Sequence, residues 1–180
     1  MPPFEPFIRP ATSADLASVR AIYGNAVSTS LATWDEICPS LEEIQSRFTA
    51  LTEAGFPYLV AEDSEAGVIA GFASATPFHR QSGWRYTAEH SIYVADEYRG
   101  RGIGRALLKK LIGALKAAGF RTLIAGVSEP GGEASIAFHK AMGFAVHGTL
   151  LNTGFKDGQW LSAVYLVHDL GEPADMELRR

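Results

Sequence analysis

VADEYRGRGIGRALL, residues 94–108, sets Gly100, Gly102 and Gly104 at alternate positions among Arg99, Arg101 and Arg105, with a leucine-rich run directly after. Glycines at this density let something bulky come close to the backbone. The dinucleotide fingerprint G-x-G-x-x-G fails, because its third glycine would fall on Arg105 or Leu107, and no P-loop string occurs. A repeated RGG-type RNA segment does not fit a single copy joined to a helix. What remains is a strand end, a short turn and a helix start. Unpaired N–H groups at a helix N-terminus carry partial positive charge and suit an anion. The segment therefore reads as a pyrophosphate site; the alternative is a turn whose glycines serve only positive φ.

Working outward, the chain has 180 residues, 47% hydrophobic and 20% charged. That is the size and composition of one ordinary globular domain, expected to span 1–180 with a core at about 7–169 and a tail at 170–180. A formal net charge of -4 argues against a nucleic-acid partner held by phosphate neutralisation. Cys38 is the one cysteine, so neither an internal disulfide nor a cysteine-rich zinc site is available. No metal is expected, since no histidine pair has ligand spacing with a carboxylate. No apolar run is long enough for a membrane span and the start lacks a signal-peptide pattern. A cytoplasmic location is expected.

Along the chain, FIRPAT predicts a first strand. Leu16, Val19, Ile22, Tyr23 and Val27 at helical spacing predict a helix over 13–27 with Ser13 as N-cap. Ser40 and Glu43 form a capping-box pattern that starts a second helix ending near Gly55. YLVAE and VIAGFASATP predict two strands joined around DSEAG, and TAEHSIYVA predicts the strand that runs into the glycine segment. A helix over 102–118 buries Leu107, Leu108, Leu111, Ile112 and Leu115 and stops at Gly119. Strand TLIAGVS, helix EASIAFHKAM, and strands around AVHGTLL and WLSAVYLVHDL complete the chain, the last two split by a turn at FKDGQ. The order β-α-α-β-β-β-α-β-α-β-β predicts an α/β (α+β) fold: a mixed, largely antiparallel central sheet flanked by about four helices.

Arg99-Gly100-Arg101-Gly102-Ile103-Gly104 matches the [QR]-x-x-G-x-[GA] motif, and the chain resembles the GNAT superfamily of acetyl-CoA-dependent N-acetyltransferases from about residue 7 to residue 169. YTAEHSIYV, FHKAMGF and GFKDGQWLSAVY resemble the phosphinothricin and methionine sulfoximine N-acetyltransferase group within it. The resemblance implies acetyl-CoA as cosubstrate, its pyrophosphate on the amides of residues 99–104 and its pantetheine arm along Ile92, Tyr93 and Val94 like an added strand. A homodimer is implied as well. Where this group often carries a cofactor-contacting asparagine, the chain has Gly132, a departure from the pattern.

Acetyl transfer to an amine needs a base, alignment, an oxyanion donor and a leaving thiolate. Glu89 is the candidate base by resemblance and by its place just before the cofactor strand; the alternative is a glutamate on a solvent face. A backbone N–H near Val94 is the candidate oxyanion donor. His139 occupies a slot where many members carry a tyrosine acid, and imidazole there suits a thiolate acid or a proton relay; the alternative is a histidine packed beside Phe138. His90, on the opposite strand face, His147 and His168 read as structural, and Cys38 is a poor nucleophile with no nearby histidine. Phe78, Arg80, Trp84, Arg85, Tyr86 and Thr87 form the candidate acceptor loop, whose arginines suit an anionic group on a small amino-acid-like amine; the alternative is a surface loop. Trp34 and Trp160 either wall the site or join the core, with Trp160 expected in the core. Other readings are a catalytically silent CoA-binding sensor or partner module, and an acetyltransferase for a peptide N-terminus or a polyamine.

Overall fold

The computed structural model describes residues 6–172. Seven strands form one sheet: β1 (Phe7–Pro10), β2 (Tyr58–Asp63), β3 (Val68–Pro77), β4 (Thr87–Val94), β5 (Thr122–Glu129), β6 (Ala145–Lys156) and β7 (Gln159–Asp169). Its order is β1-β2-β3-β4-β5-β7-β6, antiparallel except where β4 meets β5. Four helices, α1 (Leu16–Thr29), α2 (Leu41–Glu53), α3 (Ile103–Ala117) and α4 (Glu133–Ala141), flank it in the expected order.

Strand alternation divides the core into two layers. Leu59, Ala61, Ala73, Leu123, Ala125 and Val127 face α3, whose Leu107, Leu108, Leu111 and Leu115 are fully buried. Tyr58, Val60 and Phe72 point the other way, against Leu16 and Val19 of α1 and Ile44 of α2. A Cβ on Gly71 would lie 2.8 Å from the carbonyl oxygen of Tyr93 and 3.3 Å from the side chain of Ile103. The absence of a side chain there lets the start of α3 sit against the sheet at the end of β4.

The capping box at α2 forms as expected: the Glu43 N–H donates to the Ser40 hydroxyl at 3.1 Å, and the Ser40 N–H to the Glu43 carboxylate at 2.7 Å. The first helical segment differs. Thr12, not Ser13, is the cap, because the Asp15 carboxylate takes the Thr12 N–H at 2.7 Å and closes a 3-10 turn before α1 begins at Leu16. The last hairpin is tighter than expected. Strand β6 runs on through Lys156, and Asp157 and Gly158 alone make the turn at φ 51° and 77°, the left-handed pair that suits a two-residue hairpin. Trp160 is 62% exposed rather than core, packed edge-on to Phe155 at 5.3 Å. Leu170 is buried, and residues 173–180 of the expected tail lie outside the described residues.

Candidate active site

Strand β4 pairs with β3 along its length, from Ala88 to Val94. Against β5 it pairs only over Thr87–Glu89, opposite Thr122–Ile124. Beyond that point the two parallel strands separate. The last residues of β4 thus have no strand partner on the β5 side, and a cleft of ≈ 890 Å³ opens, bounded by β4, β5, α3, α4 and residues 29–32. Its volume is that of a site for a sizeable small molecule.

The glycine turn lines this cleft through Gly100, Gly102 and Gly104. Gly100 and Gly102 have φ of 76° and 82°, which side-chain-bearing residues rarely adopt. The first bond closing α3 runs from the Ala106 N–H to the Gly102 carbonyl at 3.0 Å, leaving the amides of Ile103, Gly104 and Arg105 without helical acceptors. Arg99 and Arg105 line the cleft, with Arg99 bridged to Asp96 at 2.8 Å. Arg101 stands 5.1 Å over the ring of Tyr98 and is outside the lining. Ile92, Tyr93 and Val94 line the cleft from β4. A glycine turn, free amides and an unpaired strand edge together fit a phosphate-bearing, extended cofactor such as acetyl-CoA.

Gly132 caps α4 and also lines the cleft. A Cβ there would lie 2.2 Å from the Ser128 carbonyl oxygen and 2.6 Å from Val127 Cγ1. The backbone path around α4 therefore admits only glycine at this position, which gives the departure from asparagine a physical reason.

The two faces of β4 carry different chemistry. Glu89 shares a face with Tyr93, whose ring meets Tyr23 of α1 at 5.1 Å. Burial raises the Glu89 carboxyl above the ordinary glutamate range. Tyr165 is raised by burial and then by the charge of Glu89. Phe78 links Tyr165 (6.2 Å) to Trp84 (5.2 Å), so one side of the expected acceptor loop abuts the surroundings of Glu89. Within that loop Arg85 donates to the Ser82 carbonyl at 2.9 Å and stands 4.7 Å over Tyr86, while Arg80 is exposed. Thr87 begins β4.

On the other face, His90 meets His139 of α4 at 5.2 Å between ring centroids. Both rings line the cleft, a neighbourhood that sequence reading of His90 as structural did not reveal. His139 Nδ1 bonds the Ser135 carbonyl at 2.7 Å. A carbonyl can only accept, so Nδ1 carries the proton and Nε2 is left as an acceptor. His139 Nε2 and both nitrogens of His90 have no hydrogen-bond partner among the described residues. Burial lowers His139, opposed by the Ser135 bond, and burial lowers His90 to about 3, so both rings are neutral at pH 7.

Sequence reading named Trp34 as wall or core but gave no role to the rest of residues 30–35. Residues 30–35 have no regular structure, yet Trp34 donates to the Ser128 hydroxyl at 3.0 Å across the cleft rim. The Tyr23 hydroxyl joins Thr33 Oγ1 at 2.7 Å and donates to Asp35 at 2.8 Å. Nothing in the local pattern marks these partners, which lie up to 94 residues apart.

Residues 22–144 match the model of the acetyltransferase (GNAT) family. The chain is 38% identical to a phosphinothricin N-acetyltransferase of Alcaligenes faecalis over 91% of its own length and 82% of the relative's. It is 40% identical to an L-methionine sulfoximine/L-methionine sulfone acetyltransferase of Pseudomonas paraeruginosa, covering 91% and 94%. A crystal structure of a phosphinothricin acetyltransferase from Sinorhizobium meliloti, solved in complex with AcCoA, superimposes with a TM-score of 0.88 at 41% identity, covering 94% of this chain and 90% of that one. With the split sheet, the glycine turn and these matches in hand, the chain belongs to the acetyltransferase (GNAT) family.

Proposed function

We propose that this chain moves an acetyl group from acetyl-CoA directly to the primary amine of a small amino-acid-like acceptor of the phosphinothricin or methionine sulfoximine type. One observation carries the reading: the parting of β4 from β5 after Glu89 opens the cleft lined by the glycine turn, Ile92, Tyr93, Val94 and Gly126, and the Glu89 carboxylate lies against Gly126. The named relatives support the acceptor class.

Acetyl-CoA supplies the activated thioester. Residues 99–105 hold its pyrophosphate on free amides and arginine charge, and the unpaired edge of Ile92, Tyr93 and Val94 receives its extended arm. Holding both reactants in one cleft removes much of the entropic barrier to their encounter. Glu89, desolvated and raised, takes the ammonium proton of the acceptor directly or through water; such positioned bases give about 10²–10⁴-fold. The amine then attacks the thioester carbonyl, and a backbone N–H near Val94 stabilises the oxyanion. Neutral His139 presents an acceptor at Nε2, so it serves as a relay that takes the second proton from the newly bonded amine nitrogen and gives it to the thiolate as the C–S bond breaks.

The aromatic ring pair of Phe78 and Trp84 bounds the acceptor, and Arg80 pairs with its anionic group. The reading also includes a homodimer, for which the exposed Val146, Leu150, Leu151, Phe155 and Trp160 along β6 and β7 offer an apolar surface, and a cytoplasmic setting suited to the lone thiol of Cys38. No described helix is long and apolar enough to cross a membrane.

The test is thiol release from acetyl-CoA across phosphinothricin, methionine sulfoximine, ordinary amino acids, polyamines and peptides. Release that requires both acetyl-CoA and one of the first two amines is expected. Thermal stabilisation by acetyl-CoA without turnover of any amine would instead identify a silent binding module.

A further inference from the structure

Lys156 is only 1% exposed, and among the described residues it forms no ion pair. Its ammonium spends all three donors on backbone carbonyls: Val27 at 2.8 Å, Ser30 at 2.9 Å and Thr33 at 2.9 Å. A buried cation is costly unless fully satisfied, so this arrangement strongly favours one path for the chain that supplies those carbonyls. Val27 lies in the last turn of α1, whose carbonyls form the negative end of the helix. Ser30 and Thr33 belong to the irregular segment that follows. One side chain from the end of β6 thus gathers a helix terminus and a loop.

Two further ties hold the same loop to the sheet. Trp34 lies so close over Gly154 that a Cβ there would be 2.6 Å from its ring, and the indole N–H donates to Ser128. Ser128 is two residues from Gly126, against which the Glu89 carboxylate rests, and alternation puts Ser128 and Gly126 on one face of β5. The loop therefore lies on the same face of the sheet as Glu89, opposite His90, His139 and α3, and its Ser30, Leu31 and Ala32 line the cleft there.

We propose that Lys156 is a positioning residue for the acetyl acceptor: it fixes the wall formed by residues 30–34, against which the amine is held in reach of Glu89. The inference rests on the acetyl-transfer reading with Glu89 as base. The Lys156 ammonium bonds go to Val27, Ser30 and Thr33 and none to the glycine turn or α3, so its effect is expected on the side of the cleft formed by this loop.

Lys156→Met keeps most of the length of the side chain and removes the three donors. With L-methionine sulfoximine as acceptor, a rise of at least tenfold in the acceptor KM is expected, with the acetyl-CoA KM within twofold of wild type and thermal stabilisation by acetyl-CoA retained. Lys156→Arg keeps the charge, but its planar fork does not converge three bonds on one point, so the acceptor KM stays raised. Should Lys156→Met fail to fold, Trp34→Phe keeps a ring over Gly154 and removes only the bond to Ser128; a several-fold rise confined to the acceptor KM is expected. An unchanged acceptor KM in the folded variants, or both KM values rising in proportion, would overturn the role of Lys156. Wild-type protein that releases no thiol with any amine of the panel would overturn the acetyl-transfer reading itself, an outcome distinct from the first.

Discussion

The carboxylate of Glu89 fills the space that a side chain at position 126 would need: a Cβ built on Gly126 would stand 3.0 Å from Glu89 Oε1. These residues belong to the two strands that part company one step below, β4 after Glu89 and β5 after Ile124. The missing side chain at 126 is what lets a carboxylate lie in the crotch of the split sheet, half-buried and with its proton held more tightly than usual.

Glu89→Gln is expected to lower turnover at least tenfold. In the wild type, kcat/KM rises with pH through a carboxyl pKa above the ordinary 4.5, and that limb disappears in the variant. The stability effect has the opposite sign. A carboxyl whose folded pKa is raised favours the folded state at low pH and disfavours it once pH exceeds the unfolded value. The variant should therefore melt above wild type at pH 8, with the difference vanishing below about pH 4.5. Melting curves across pH alongside initial rates check both; full activity in the variant would remove Glu89 from the mechanism.

Gly126→Ala should displace the carboxylate by a few tenths of an ångström, since the neighbour it meets is the mobile end of a side chain. Turnover is expected to fall several-fold while the acetyl-CoA KM changes little, because the cofactor features lie elsewhere. Steady-state kinetics with each substrate varied in turn measure this.

Gly132→Asn restores the residue that the resembling group often carries, but a Cβ there meets the Ser128 carbonyl at 2.2 Å. That contact is with backbone, which must move. A loss of roughly 1–3 kcal/mol is expected, together with a raised acetyl-CoA KM, as read by denaturant unfolding and kinetics. An equally stable variant would mean that the turn before α4 relaxes freely.

Arg9 grips Asp15 with two bonds of 2.8 Å and so holds its carboxyl at about 2, where 3.8 is ordinary. A depressed carboxyl contributes stability that is present above the unfolded pKa and lost as pH falls through the folded one. Asp15→Asn should cost on the order of 2 kcal/mol at pH 7, the gap closing between about pH 4 and pH 2. Urea titrations at several pH values test the window.

Much of the fold was legible in the order of residues because its signals are local. The Ser40–Glu43 box, the leucine stripe of α3 and the left-handed glycines at 102 and 119 each act within a few residues. The glycine turn and its arginines could be placed between β4 and α3 the same way, and Glu89 could be placed on β4. Errors arose where a long-range partner decided the outcome. Trp160 reads as core by composition but sits on an outer hairpin, and Lys156 reads as part of a polar turn but extends inward to α1.

By itself, then, the sequence determined the elements, their order and the glycine turn before α3, since hydrogen bonds and hydrophobic period over a few residues dictate these. Only the tertiary structure decided where β4 leaves β5, that Gly126 and Gly132 are glycine for want of space, and that His90 faces His139. It alone brought Lys156 to the loop whose residues line the cleft, and tied Trp34 of that loop to Ser128. Those relationships depend on packing between segments distant in the chain, and no local pattern of residues encodes such distances.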